Sequence, residues 1–259
     1  MSLVLADVRD GVGTLTLNNP KKANALSQEL VAGIVAALAD FRGRKARAVI
    51  LRAQTGARIW SAGHDVGELP ESRRDPLGWD DPLRNLIREI EVFPAPVIAM
   101  VEGGVWGGAT ETVFACDLIV AAPNAAFSIT PAKLGVPYNV SGMLTFLNSA
   151  CIRIVKEMAF TAKPVTAERA ERLGLINHVV PNEALEAFTY DLAREITALA
   201  PLSIAVMKEQ LRILAGAHPM SPQGFERIQG LRRVVYDSHD YAEGIRAFKE
   251  KRPPVFKGE

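Results

Sequence analysis

Three short, almost wholly apolar runs, Ala48–Arg52, Val97–Val101 and Leu118–Ala122, constrain this chain more than any other feature. Runs of that length and composition suit strands buried inside a sheet. A helix-like segment, Ala109–Cys116, precedes the third run. Strands and helices alternating in this way predict βα units stacked on a core. Upstream, Leu3–Val8 and Val12–Leu17 alternate apolar and polar residues around Asp10-Gly11, the pattern of a hairpin. Ser27 is placed to cap a helix that runs through Leu30, Ile34, Leu38 and Phe41.

The pattern changes after about residue 195. Pro201–Ala215, Gln223–Val235 and Tyr241–Phe248 read as helices with no strand between them, and Pro219 and Pro222 mark a break. The expected organisation is an α/β core over residues 1–195 followed by a helical subdomain over 196–259. With 48% hydrophobic residues in 259, the chain can bury a large core. Its 30 basic and 29 acidic residues argue against broad nucleic-acid binding, though a local basic patch could hold a phosphate. The longest uncharged run, Leu134–Ile152, holds Pro137, Asn139, Ser141, Gly142 and Asn148, which disqualifies it as a membrane span. Asp7, Arg9 and Asp10 break the first apolar stretch, so no secretory signal is expected and a cytoplasmic location is. Cys116 and Cys151 lack metal or redox spacing and are expected to be reduced core thiols.

Two segments carry the chemistry. Ser61–Leu69 reads Ser-Ala-Gly-His-Asp-Val-Gly-Glu-Leu, and Val101–Glu111 reads Val-Glu-Gly-Gly-Val-Trp-Gly-Gly-Ala-Thr-Glu. Each places small residues where a strand gives way to a turn or helix, so main-chain N–H groups can face outward. His64 taken alone is readily a polar residue at a strand end, satisfied by a neighbouring carboxylate such as Asp65. Gly107-Gly108 alone is readily a tight connection into a helix.

Together, in this order, the two segments resemble the crotonase (enoyl-CoA hydratase/isomerase) superfamily, and the resemblance covers nearly the whole chain. It implies a spiral of ββα units with C-terminal helices that complete a CoA site and pack on neighbouring subunits, in trimers or dimers of trimers. It also implies an oxyanion hole made of the main-chain N–H groups of His64 and Gly108. Ala62, Gly63, His64, Asp65 and Val66 would touch the CoA thioester. In the basic tail of Lys249, Lys251, Arg252 and Lys257, Lys251 is the implied phosphate ligand.

Hydratases of the superfamily use two glutamates. The first aligns with Glu111, which a helix dipole favours in a first turn whether or not it reacts. The second position holds Pro131, so hydration lacks one acid–base partner. In its place stand Thr130 and Tyr138, in Thr-Pro-Ala-Lys-Leu-Gly-Val-Pro-Tyr-Asn. Read singly, one is a turn residue and the other a core aromatic. The wider motif set, including Asp75-Pro-Leu, Asp80-Asp-Pro-Leu-Arg, Phe127-Ser-Ile-Thr-Pro and Phe225-Glu-Arg-Ile-Gln-Gly, resembles the methylmalonyl-CoA decarboxylases within the superfamily. That implies loss of CO2 from a malonyl-type thioester through an enolate, with Tyr138 orienting the carboxylate and Thr130 beside it. Biotin, metal and other cofactors are not implied. The competing expectations are an enoyl-CoA hydratase or isomerase using Glu111, and a non-catalytic CoA- or RNA-binding member of the fold.

Overall fold

In the computed structural model, which describes residues 2–70, 75 and 77–259, β1 (Val4–Arg9) and β2 (Val12–Leu17) pair as an antiparallel hairpin. Asp10 (φ 50°) and Gly11 (φ 77°) supply the two left-handed residues that a two-residue hairpin turn requires. The hydroxyl of Ser27 accepts from the N–H of Leu30 at 3.3 Å and starts α1 (Gln28–Gly43). That helix buries Leu30, Ile34, Leu38 and Phe41.

From there the chain alternates between two sheets. β3 (Ala48–Ala53), β5 (Val97–Val101) and β7 (Leu118–Ala121) extend the hairpin into a six-stranded sheet of order β1-β2-β3-β5-β7-β10, closed by β10 (His178–Val179). The strand after each of the three, β4 (Ile59–Ser61), β6 (Gly104–Trp106) and β8 (Ala126–Ser128), joins a smaller sheet of order β4-β6-β8-β9, with β9 (Val165–Thr166) last. Helices α2 (Pro82–Glu91) and α3 (Gly108–Phe114) lead from the small sheet back to the large one. The result is a spiral of ββα units. After β8 come α4 (Val140–Ser149), α5 (Ile152–Thr161) and α6 (Ala167–Arg172), and α7 (Asn182–Thr197) follows β10.

The apolar runs are explained by what covers them. Ala48, Ile50, Ile98, Met100 and Val120 pack with Leu185 and Ala193 of α7 on one face of the large sheet. The alternate residues Val49, Leu51, Val97, Ala99 and Val101 face α1, the small sheet and the main core. A strand covered on both faces needs an apolar residue at every position.

The last three helices are α8 (Pro201–Ala215), α9 (Pro222–Tyr236) and α10 (His239–Lys249). α10 approaches the turn Pro131–Leu134 so closely that a Cβ on Gly244 would lie 2.3 Å from the Leu134 carbonyl oxygen. α8 buries none of its side chains, and Lys208 ties it to the core through Asp117 at 2.7 Å and the carbonyls of Ile90 and Ala95 at 3.0 and 3.2 Å. Among the described residues no helix is long and apolar enough to cross a membrane. The two cysteines part company. Cys116 is a buried thiol at the end of α3, whereas Cys151 is exposed because it forms the corner between α4 and α5. The expectation of two core thiols therefore fails for Cys151.

Candidate active site

Strands β4, β6 and β8 run parallel in adjacent register, Ser61 beside Val105 and Trp106 beside Ser128. Their carboxyl ends therefore release three loops side by side: Ala62–Asp65, Gly107-Gly108, and Ile129-Thr130. Ligands in open α/β sheets bind at such strand ends. Here the loops surround a cavity of about 790 Å³. Ala62, His64, Asp65, Val66, Gly108, Thr130, Tyr138 and Lys251 all line it. Gly63 alone of the expected residues does not.

Gly63 acts from behind. Its φ is +85°, and a Cβ there would lie 2.3 Å from the Trp106 carbonyl oxygen and 3.0 Å from the N atom of Gly108. Only glycine lets the first loop close on the second. Residues Leu26 and His64 form a parallel bridge in which Leu26 donates to the Gly63 carbonyl at 2.7 Å and accepts from Asp65 at 3.4 Å. In that pattern the N–H of His64 points to the opposite side. Gly108 is the first residue of α3, so its N–H has no acceptor within the helix. Gly107 reaches this position with φ 56° and ψ −119°, its own N–H donating to the Ser128 carbonyl at 2.9 Å. A Cβ on Gly108 would be 3.4 Å from the N atom of His64, so the two amides are neighbours.

The side chain of His64 does not contact the carboxylate of Asp65, as the local sequence suggested. Its Nε2 lies 2.9 Å from Oδ2 of Asp81, and its Nδ1 3.2 Å from the Asp65 main-chain oxygen. The Asp65 carboxylate is turned away, accepting from the N–H of Gly67 at 2.9 Å and pairing with Lys22 at 3.1 Å. Burial works against a charged imidazole, yet the hydrogen bond and charge of Asp81, with the Asp65 carbonyl and the charge of Glu68, raise its pKa above 6.5.

Glu111 is fully buried in α3 and does not line the cavity. It forms an ion pair with Arg84 of α2, the two groups close but not aligned for a hydrogen bond. Burial pushes its pKa up to about 7 against the pull of Arg84. Beside it, Gly142 leaves room where a Cβ would meet the Tyr138 ring at 2.7 Å and Oε1 of Glu111 at 3.1 Å. Tyr138 stacks edge-on against Phe146 with ring centroids 5.3 Å apart, and its buried hydroxyl has no partner among the described residues. Burial, reinforced by the charge of Glu111, raises its pKa well above 10. Asp65, held at the mouth by Lys22, is the only carboxylate among the described residues lining the cavity.

α10 completes the mouth with Phe248 and Lys251. Lys251 has φ +55°, in the position after the helix where glycine is usual; its N–H donates to Phe248 and that of Arg252 to Ala247. This left-handed turn carries Lys251 to the cavity. Arg252 of the same basic tail is engaged elsewhere, gripping buried Glu243 at 2.6 and 3.0 Å. Lys257 lies against Glu259 at 3.7 Å. Of the tail, Lys251 alone among the described residues lines the cavity, joined by Lys22 and Lys133 from other loops. Sequence reasoning missed these two lysines, and it quoted Asp81 and Arg84 within the Asp80-Asp-Pro-Leu-Arg motif without giving either a role. Asp81-Pro82 had a visible signal, an N-cap followed by a first-turn proline. Among the described residues no group of three His, Cys, Asp or Glu side chains is placed to hold a metal ion.

A spiral of ββα units with a ligand cavity at the carboxyl ends of its inner strands places the chain among the crotonase folds. The family model described as Enoyl-CoA hydratase/isomerase matches residues 7–259, and the chain belongs to that family. It is 52% identical over 247 residues, 95% of either chain, to the methylmalonyl-CoA decarboxylase of Escherichia coli (strain K12). It is 35% identical over 253 residues, 94% of either chain, to a carnitinyl-CoA dehydratase of Salmonella typhi. A solved structure of a methylmalonyl-CoA decarboxylase in complex with 2-nitronate-propionyl-CoA matches with a TM-score of 0.98 at 50% identity, over 99% of both chains. Pro76, in the Asp-Pro-Leu motif of the resemblance, lies outside the described residues.

Proposed function

We propose that this protein decarboxylates methylmalonyl-CoA, or a closely related malonyl-type thioester, to propionyl-CoA and CO2. The observation that carries the reading is the cavity's chemistry: two adjacent main-chain N–H groups and two hydroxyl side chains, with Asp65, paired with Lys22, the only carboxylate among the described lining residues. The thioester carbonyl oxygen accepts from the N–H groups of His64 and Gly108. Tyr138 and Thr130 hold the carboxylate out of the thioester plane, so that the breaking C–C bond overlaps the carbonyl π system. That bond breaks, its electron pair enters the carbonyl as an enolate, CO2 departs, and Cα takes up a proton. Each oxyanion donor supplies about 3 kcal/mol of transition-state stabilisation. The thioester is its own electron sink, so the reaction calls for no biotin, metal or other cofactor.

Glu111 has no proton to move in this scheme. Glu111→Gln is expected to keep decarboxylation within about threefold of wild type, since the amide oxygen still faces Arg84. A loss of about a hundredfold or more would favour the hydratase or isomerase reading, in which Glu111 is the working carboxylate. The burial of Glu111 against Arg84, outside the cavity lining, disfavours that alternative. The near-neutral charge disfavours an RNA-binding role.

Lys251, with Lys22 and Lys133, holds the CoA phosphates at the mouth. Lys251→Ala is expected to raise KM roughly fivefold, the equivalent of about 1 kcal/mol for an exposed ion pair, with kcat unchanged. The difference should shrink as salt is added; a kcat effect at constant KM would contradict the assignment. The exposed apolar side chains of α8 and α9, among them Leu202, Leu211, Leu214 and Val234, form the contacts of a trimer or a dimer of trimers. The protein works in the cytoplasm on a soluble acyl-CoA.

A further inference from the structure

The imidazole of His64 is held at both nitrogens, and both partners are acceptors: a carboxylate at Nε2 and a main-chain carbonyl at Nδ1. A neutral ring has one N–H and can satisfy one of them, because an ionised carboxylate and a carbonyl have no proton to return. Satisfying both contacts takes a ring protonated at both positions. We propose that His64 is a clamped imidazolium that sets a fixed positive charge in the wall of the acyl cavity, with Asp81 as the positioning residue that holds it there. The proposal deepens the decarboxylase reading and rests on it for the substrate.

The surroundings of the ring agree. Asp81 faces it from the start of α2, while Asp65 and Glu68 approach from its own loop and Lys22 from the turn Pro20–Lys22. Lys22 is committed to Asp65 at 3.1 Å, and Glu68 accepts from the N–H of Gln28 at 2.8 Å. Asp81 is thus the carboxylate in contact with the ring, and its net effect with the others is a pKa above the ordinary histidine value despite burial. Lys133 and Lys251, which line the same cavity, are exposed at its mouth.

Asp81 has a second task. Its Oδ1 accepts from the N–H groups of Leu83 and Arg84, at 3.0 and 3.3 Å, and so caps α2. The ring is therefore fastened to a helix, and through it the loop that presents the His64 N–H is fastened too. Charge aimed at the site of a developing enolate is most effective when it need not reorganise. Because both ring protons point at Asp81 and Asp65, neither is delivered to Cα. The ring stabilises charge and does not transfer a proton.

The test combines nitrogen NMR of the ring with kinetics on the full chain. In histidine-labelled protein, with the signal assigned by His64→Gln, the wild type is expected to keep both ring protons above the pH at which an ordinary histidine loses one. Asp81→Asn retains the helix cap, since asparagine caps as well as aspartate. It can present an N–H to Nε2, which leaves the ring a single proton on Nδ1. The variant should lower kcat on methylmalonyl-CoA roughly tenfold to a hundredfold with KM within about threefold. The sign of the pH effect follows from the raised pKa: activity holds below it and falls as pH climbs through it. In Asp81→Asn that fall moves to lower pH, whereas a merely structural role would lower activity equally at every pH. A singly protonated wild-type ring overturns the imidazolium, however the variant folds or turns over. A doubly protonated ring with an unmoved pH profile in Asp81→Asn overturns the role of Asp81. A doubly protonated ring in a protein inert toward methylmalonyl-CoA overturns the substrate reading instead.

Discussion

Gly63→Ala is expected to reduce decarboxylation at least a hundredfold, the loss that follows when one oxyanion donor is displaced. The new Cβ would lie 2.3 Å from the Trp106 carbonyl oxygen, and backbone cannot yield there without carrying Gly107-Gly108 with it. It would also lie 3.0 Å from the Gly108 N atom, so the clash falls on the donor itself. The left-handed φ adds a strain of about 1–2 kcal/mol for any residue with a Cβ. Gly56→Ala separates the two effects. Gly56 has φ +80° and nothing within 4 Å of its would-be Cβ, so it suffers the strain without the collision. Steady-state kinetics and thermal unfolding on the pair should show both variants destabilised and only Gly63→Ala inactive. Near-normal turnover in Gly63→Ala would mean that the approach of the two loops does not build the hole.

The second large effect is expected of Tyr138→Phe. The hydroxyl is buried with no partner among the described residues, and the ring is held by its edge-on contact with Phe146 and the space left by Gly142. Removing a buried hydroxyl that has no partner among the described residues should cost little stability. The phenylalanine ring keeps the packing. If that hydroxyl orients the carboxylate, kcat should fall about a hundredfold, as for loss of a transition-state donor, while CoA binding and thermal midpoint stay near wild type. Unchanged kcat would remove Tyr138 from the reaction. Loss of CoA binding would make it a packing residue of the pocket.

The large sheet was legible because residues covered on both faces announce themselves as unbroken apolar runs. β3, β5 and β7 fall within a residue of where those runs lie, and the three last helices within two residues of their proline and periodicity signals. The small sheet could not be read as strands. β4, β6 and β8 are three residues each, too short for a period of two to repeat, and β6 both contains a glycine and is flanked by Gly103 and Gly107. The spiral came from the family resemblance for that reason, and the alternation of strands between two sheets explains it physically. In the site, the close approach of the two loops was legible because glycine marks where a backbone must come near another; the choice of His64 and Gly108 as donors came from the resemblance. The ion pairs were not legible. Asp81 lies 17 residues beyond His64, and Arg84 meets Glu111 only because α2 packs on α3. Tertiary contacts of that kind leave no local pattern. Lys22 and Lys133 were missed likewise, since an exposed lysine looks the same in sequence whether or not a cavity opens beside it.

A cavity with this lining should break a carbon–carbon bond in a malonyl-type thioester and should not add water to a double bond. Incubating the protein in parallel with methylmalonyl-CoA and crotonyl-CoA, and resolving the thioester products by mass, distinguishes the two reactions. Propionyl-CoA is expected from the first and unchanged crotonyl-CoA from the second. Hydration of crotonyl-CoA with methylmalonyl-CoA untouched would contradict the decarboxylase reading and return Glu111 to the centre of the chemistry.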